Sequence, residues 1–326
     1  LRNTLSYISL FVVLFFIGRN QLSAKSTDEL RHNIQIIFPY AAWADQHTVQ
    51  IPIEFVGRLP CVRASIDTTS GLFIFDTGAS DLILNDSYFG DHSRQSASLS
   101  AGSTGQIIEY GHEKIDSLTS NGFIFKKLTG KLINLTHIET SKNTRILGIL
   151  GYDVYRDFEV FIDYPFRQII LTRLDKKGKR IFRRGIIELP SDSVEFSLHK
   201  HVIVLDGSVN GKRLKWSIDT GAEVNLLDKR VNRRVLDNFE IIRRAILMGV
   251  GNKKVEVIAG RLDGVNCGHG QTYPMRTLLT STDYIREMTN IRVDGVLGYE
   301  YLYTKRISIN YKTKKLFFYK HAILKP

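Results

Sequence analysis

Cysteine is nearly absent, with two residues in 326, Cys61 and Cys267. That excludes a disulfide-stapled scaffold and leaves room for at most one bridge, or for two buried thiols. No His-Glu-x-x-His stretch occurs. Cys267-Gly268-His269 and His199-Lys200-His201 lack further ligands at metal-site spacing, so no metal or cofactor is expected and these residues read as surface or loop features. A Gly-x-Ser-x-Gly elbow is also missing, which leaves a serine hydrolase without support. Long hydrophobic runs are missing apart from Leu5 to Gly18, which follows Arg2 and is too short for a membrane span. It reads as a secretory signal peptide, residues 1–24, ending near Ser23-Ala24 and directing export to a periplasmic, cell-envelope or secreted location. Leu22 stands where a small residue is preferred before cleavage, so an uncleaved N-terminal anchor is the competing reading.

The rest of the composition is that of a soluble globular protein, 43% hydrophobic and 24% charged, long enough for two domains each with its own core. The net charge is +12. Basic pairs cluster at Lys176-Lys177, Lys179-Arg180 and Arg183-Arg184, and again at Lys229-Arg230, Arg233-Arg234 and Arg243-Arg244. They read as a solvated linker and surface, or as a patch attracted to an anionic membrane surface or acidic substrate. No nucleic-acid module accompanies the charge, so nucleic acid is not an expected partner.

One motif occurs twice. Asp76-Thr77-Gly78-Ala79 ends the apolar run Leu72-Phe73-Ile74-Phe75, and Asp219-Thr220-Gly221-Ala222 ends Lys215-Trp216-Ser217-Ile218. The spacing is 143 residues (219 − 76), and the same offset relates Ser65-Ile66 to Ser208-Val209. Beyond the motif the offset becomes 147, relating Gly102 to Gly249, Glu109 to Glu256, and Ile115-Asp116 to Leu262-Asp263. It also relates Gly148-Ile149-Leu150-Gly151-Tyr152 to Gly295-Val296-Leu297-Gly298-Tyr299, and Ile162-Asp163-Tyr164 to Ile309-Asn310-Tyr311. A tripeptide recurs by chance; a whole unit of strand, Asp turn, glycine hairpin and closing strands does not. Short alternating runs such as Val49 to Phe55 and Val194 to Leu198, punctuated by Gly, Asn and Asp, mark an all-β chain. Helix is expected mainly at Tyr152–Arg156 and Tyr299–Thr304, with a further short one capped by Ser26 and Glu29.

The Asp-Thr-Gly-Ala turns, followed by Leu82-Ile83-Leu84 or Leu226-Leu227 and later by Ile149-Leu150-Gly151 or Val296-Leu297-Gly298, resemble the retropepsin-like and pepsin-like aspartic protease superfamily. The Ala after each glycine is closer to the retroviral type, so the chain looks like two such subunits fused, as in bacterial two-lobed relatives. The resemblance covers about residues 50–172 and 193–320. It implies a bilobal acid-protease fold of two homologous β-barrel-like lobes with the active site between them, and a monomer acting on peptide or protein. The expected organisation is extension 25–47, lobe one 48–173, basic linker 174–190 and lobe two 191–326.

Two such turns face to face would place Asp76 and Asp219 side by side, sharing one proton because like charges that close cannot both ionise. The ionised carboxylate would activate a water while the protonated one polarises a peptide carbonyl. By resemblance, the Thr77 and Thr220 hydroxyls cross between lobes and lock the turns. Gly78 and Gly221 leave room for backbone N–H groups to approach the carboxylates. Ala79 and Ala222 lack the hydroxyl found there in pepsin-like chains, which predicts a less acidic working range than a pepsin's. Gly102, Ser103 and Gly105, with Gly249, Val250 and Gly251, read either as flap tips or as ordinary β-turns. The rivals to an aspartic endopeptidase are a catalytically silent, peptide-binding relative of the cell envelope and a two-carboxylate glycosidase. The glycosidase would need carboxyl groups about 5–9.5 Å apart, farther than turns meeting at a symmetry axis would hold them.

Overall fold

The computed structural model describes residues 14–16, 47–90, 98–101, 107–181, 188–248, 254–267 and 273–320. The candidate flap residues Gly102, Ser103, Gly105, Gly249, Val250 and Gly251 lie outside these residues, as does the stretch 17–46 with its expected helix. Within the apolar N-terminal run, Leu14–Phe16 is a three-residue edge strand antiparallel to Phe239–Met248.

The chain is all-β in two lobes, and the strand order of one repeats in the other. In lobe one the order is Leu59–Ile66, Thr69–Phe75, Ile146–Leu150, Leu82–Asn85, Phe123–Ile133, Ile107–Ser120. In lobe two it is Val202–Val209, Lys212–Ile218, Gly295–Leu297, Asn225–Asp228, Met275–Thr280, Lys254–Leu262. Ile146–Leu150 runs parallel to the strand that carries Asp76 and antiparallel to Leu82–Asn85; Gly295–Leu297 stands in the same relation to Lys212–Ile218 and Asn225–Asp228. The apolar-apolar-Gly segments are thus central strands behind each Asp turn. Being covered on both faces, they are apolar at successive positions rather than alternately.

A third, six-stranded sheet joins the lobes in the order Asp192–Glu195, Lys315–Phe318, Arg306–Asn310, Phe158–Asp163, Gln168–Arg173, Thr48–Pro52. Its central pair is self-complementary. Glu159 lies opposite Asn310, Phe161 opposite Ser308 and Asp163 opposite Arg306, while the 147-residue offset relates Phe161 to Ser308 itself. A local two-fold axis therefore passes between those two residues, as at an isologous dimer interface. The run Val49 to Phe55, read as one strand, is in fact two. Thr48–Pro52 joins the six-stranded sheet, Glu54–Val56 joins lobe one, and Asp192–Glu195 and Ser197–His199 repeat the switch in lobe two. Alternation of period two survives such a bend, so the pattern carries no mark of it. Two seven-residue helices, Thr136–Lys142 and Asp283–Thr289, were also not signalled.

The largest apolar cluster is continuous through both lobes, including Phe73, Phe75, Tyr155, Trp216 and Ile307. Both cysteines are free, buried thiols, each pushed up to about 12 by burial. Cys267 is therefore a core residue rather than part of a surface feature. The basic stretch after Asp175 is not wholly solvated either: Arg180 donates from Nε to Glu159 at 3.0 Å, and Asn310 donates to the Gly178 carbonyl at 2.9 Å.

The self-complementary register carries a prediction. A fragment of residues 48–173 would expose the free edge of Phe158–Asp163. It should pair with itself through that edge, and any activity should appear only as the dimer forms. Sedimentation and turnover measured across a dilution series check this; concentration-independent turnover would count against it.

Candidate active site

Each Asp turn begins where its strand can extend no further. Asp76 N–H donates to the Leu150 carbonyl and Asp219 N–H to the Leu297 carbonyl, both at 3.1 Å. The chain then turns back, and Tyr152 N–H donates to the Ala79 carbonyl as Tyr299 N–H does to that of Ala222. The approach is close: a Cβ on Gly151 would stand 2.3 Å from the Asp81 carbonyl oxygen, so only glycine fits behind the turn.

The two turns meet. Thr77 N–H donates to Thr220 Oγ1 and Thr220 N–H donates to Thr77 Oγ1, each at 3.0 Å, and Thr220 Oγ1 donates onward to the Phe75 carbonyl at 2.7 Å. Both threonines and both aspartates are fully buried. A Cβ on Gly221 would lie 2.4 Å from Asp76 Cγ, which measures how closely the lobe-two backbone approaches the lobe-one carboxylate.

The carboxylates are not held equally. Asp76 Oδ1 accepts from Gly78 N–H at 2.7 Å and from Ala79 N–H at 3.1 Å. Asp219 Oδ1 accepts from Gly221 N–H at 2.8 Å, whereas Ala222 N–H turns to the Asp219 backbone carbonyl at 3.4 Å. Burial raises the proton affinity of both groups. For Asp76 the hydrogen bond with Asp219 and the N–H groups of Gly78, Ala79 and Gly221 pull back against it. For Asp219 the charge of Asp76 and the hydrogen bond with it add to burial, opposed by the N–H groups of Gly221 and Gly78 alone. Fixed donors favour the ionised form, so Asp76 is the member that carries the negative charge and Asp219 the one that holds the proton. Neither Oδ2 is hydrogen-bonded by a protein donor among the described residues. These are the carboxylate oxygens whose hydrogen-bonding capacity the described residues leave unused.

Ala79 and Ala222 have fully buried methyls, each within an apolar cluster of its own lobe. Beneath the dyad, the Tyr155 hydroxyl donates to the Asp76 carbonyl at 2.6 Å.

Residues from the opposite lobe reach both turns. Arg58 N–H donates to Glu223 Oε1 at 3.0 Å, and Lys142 Nζ pairs with the same carboxylate at 2.7 Å. His201, read from sequence as a surface or loop residue, is instead only 3% exposed and places Nε2 3.1 Å from the Gly78 carbonyl oxygen. The residues before it, His199 and Lys200, are polar, which is why it reads as a surface or loop residue. The signal that could have found it is the offset: 201 − 58 equals 143, the spacing of the two aspartates.

Two Asp turns, one from each of two matching β-lobes and locked through their threonines, make this a bilobal, all-β pepsin-like fold. No family model matches the chain, and no curated protein matches it. Among solved structures it is similar to the crystal structure of basic 7S globulin from soybean, at 9% identity and a TM-score of 0.48, over 84% of this chain and 94% of that one.

Proposed function

We propose that the chain is an aspartic endopeptidase, a single-chain, two-lobed member of the class its motifs resemble. The observation that carries this reading is the pair of fully buried aspartates, Asp76 and Asp219, each with raised proton affinity, on turns braced by a reciprocal pair of threonine hydrogen bonds. A structural carboxylate has no reason to be buried beside another without a counter-charge, since each then costs stability whenever it ionises.

In the proposed mechanism Asp76 accepts a proton from a water as its oxygen bonds to the peptide carbonyl carbon. Asp219 passes its proton to the carbonyl oxygen. The tetrahedral diol then collapses: the C–N bond breaks, Asp76 returns its proton to the leaving nitrogen, and a diol hydroxyl returns one to Asp219, which restores the starting state. The rate requires the singly protonated pair, so the raised affinities set its acid limb above that of an ordinary carboxylate. Export and peptide or protein substrates complete the proposal.

The test is turnover of a peptide library by the purified protein. Internal cleavage, inhibition by a statine-type peptide and insensitivity to metal chelators and serine reagents are expected. Binding without cleavage at any pH would favour the silent peptide-binding reading instead.

A further inference from the structure

The dyad's asymmetry has a source outside the two turns. The Gly78 carbonyl and the Ala79 N–H belong to one peptide unit. His201 holds the oxygen end of that unit at 3.1 Å, and its other end donates to Asp76 Oδ1 at 3.1 Å. A carbonyl oxygen can only accept, so His201 Nε2 carries the hydrogen. The result is a chain: imidazole N–H to carbonyl, peptide N–H to carboxylate. Hydrogen bonds in series polarise one another, and a peptide whose oxygen is engaged is the better donor at its nitrogen.

Among the described residues lobe two has no such chain. The residue at the corresponding position is Arg58, whose contacts are to Glu223 and Glu300. In that lobe Ala222 N–H turns away from the Asp219 carboxylate to its backbone. The contact to the Gly78 carbonyl and the N–H that reaches Asp76 thus occur together at the lobe-one turn, and among the described residues neither has a counterpart at the lobe-two turn.

We infer that His201 is a positioning residue that acts across the lobe interface through the Gly78–Ala79 peptide, keeping Ala79 N–H on Asp76 and making lobe one the side that carries the charge. The inference rests on the proposed peptidase chemistry for its purpose, but its test needs no turnover. His201 is faced by Asp81, Lys131 and Lys200; burial, with the two lysines on its side, outweighs Asp81 and the Gly78 hydrogen bond and lowers it to about 4, so the ring is neutral and Nε2 remains the donor across neutral and mildly acidic pH. The groups near Asp76 are Asp219, Tyr155, Tyr164 and Tyr311, and the tyrosines, raised by burial, stay uncharged over the same range.

The experiment is a carboxyl titration of the full chain labelled with 13C at aspartate Cγ, in wild type, His201→Leu and His201→Gln. Leucine removes the donor, and the lower of the pair's two apparent pKa values should rise by about a few tenths of a unit. The glutamine amide can donate to the same carbonyl and should restore the wild-type value. A folded His201→Leu variant whose lower value does not move overturns the inference, even if it is less stable, because a merely structural histidine would change stability alone. Should the leucine variant fail to fold, 15N spectra of the wild-type imidazole decide instead. The Nε2–H tautomer at neutral pH is required, and the Nδ1–H tautomer overturns it. Because no readout here depends on peptide cleavage, a protein that cleaves nothing fails the proposed function without deciding this inference.

Discussion

Asp76→Asn and Asp219→Asn should each lower kcat for peptide hydrolysis by roughly 10²–10⁴-fold or more, the share that positioned acid–base groups contribute. The two losses should not add. The aspartates share one proton and form one catalytic unit, so the double variant should be about as slow as either single one. The same variants should be more stable at neutral pH. Both carboxyls bind protons more tightly folded than unfolded, mainly because burial penalises their charge. Their favourable contribution is therefore complete in acid, below the unfolded value of about 3.9, and is lost as pH rises through the folded values. An asparagine never ionises and avoids that loss. Thermal melts should show Tm above wild type for Asp219→Asn at pH 7–8, with the difference vanishing toward pH 4. A variant that retains wild-type turnover, or gains no stability at neutral pH, would contradict the assignment of a buried, proton-sharing pair.

Arg306→Met should destabilise the protein by about 3–5 kcal/mol, the cost of stripping a buried ion of its partner. Arg306 Nε pairs with Asp163 Oδ2 at 2.8 Å, where the carboxylate is fully buried, and its Nη1 reaches Glu188 at 2.7 Å and the Lys320 carbonyl at 2.8 Å. Asp163 belongs to the closing strand of one lobe and Arg306 to that of the other, so this pair also ties the lobes together. Its loss should act on the bilobal assembly first. Equilibrium denaturation should show the lower midpoint, and turnover should fall before the far-ultraviolet signal of the strands does. Replacing both partners, as Asp163→Leu with Arg306→Met, should cost less than Arg306→Met alone, because no uncompensated charge is left in the interior. A single variant as stable as wild type would mean that the pair is solvated in solution.

How much of this was legible in the sequence differs from one element to the next. The tandem Asp-Thr-Gly-Ala turns, the apolar-apolar-Gly strands behind them and the offsets of 143 and 147 residues are local in the chain, and repetition makes them visible without any geometry. The all-β class followed from short alternating runs for the same reason. The helices Thr136–Lys142 and Asp283–Thr289 were missed because seven residues make too few turns for a 3.6-residue period to stand out from a β-rich background.

What the sequence by itself determined is the inventory of the candidate site: two carboxylates, the threonines and glycines beside them, and the duplicated frame that supplies one turn per lobe. What only the tertiary structure decided is how the two turns differ. Ala79 N–H reaches the Asp76 carboxylate while Ala222 N–H does not, His201 grips the Gly78 carbonyl from the other lobe, and Asp163 meets Arg306 across the six-stranded sheet. The physical reason is that motif and repeat record what is close in sequence, whereas the His201 and Arg306 contacts join residues 123 and 143 positions apart, and two turns of identical sequence differ in which acceptor the alanine N–H finds. Hydrogen-bond direction and the burial of charge follow from which atoms the fold brings within 3 Å or so of each other, and nothing in a local pattern encodes that.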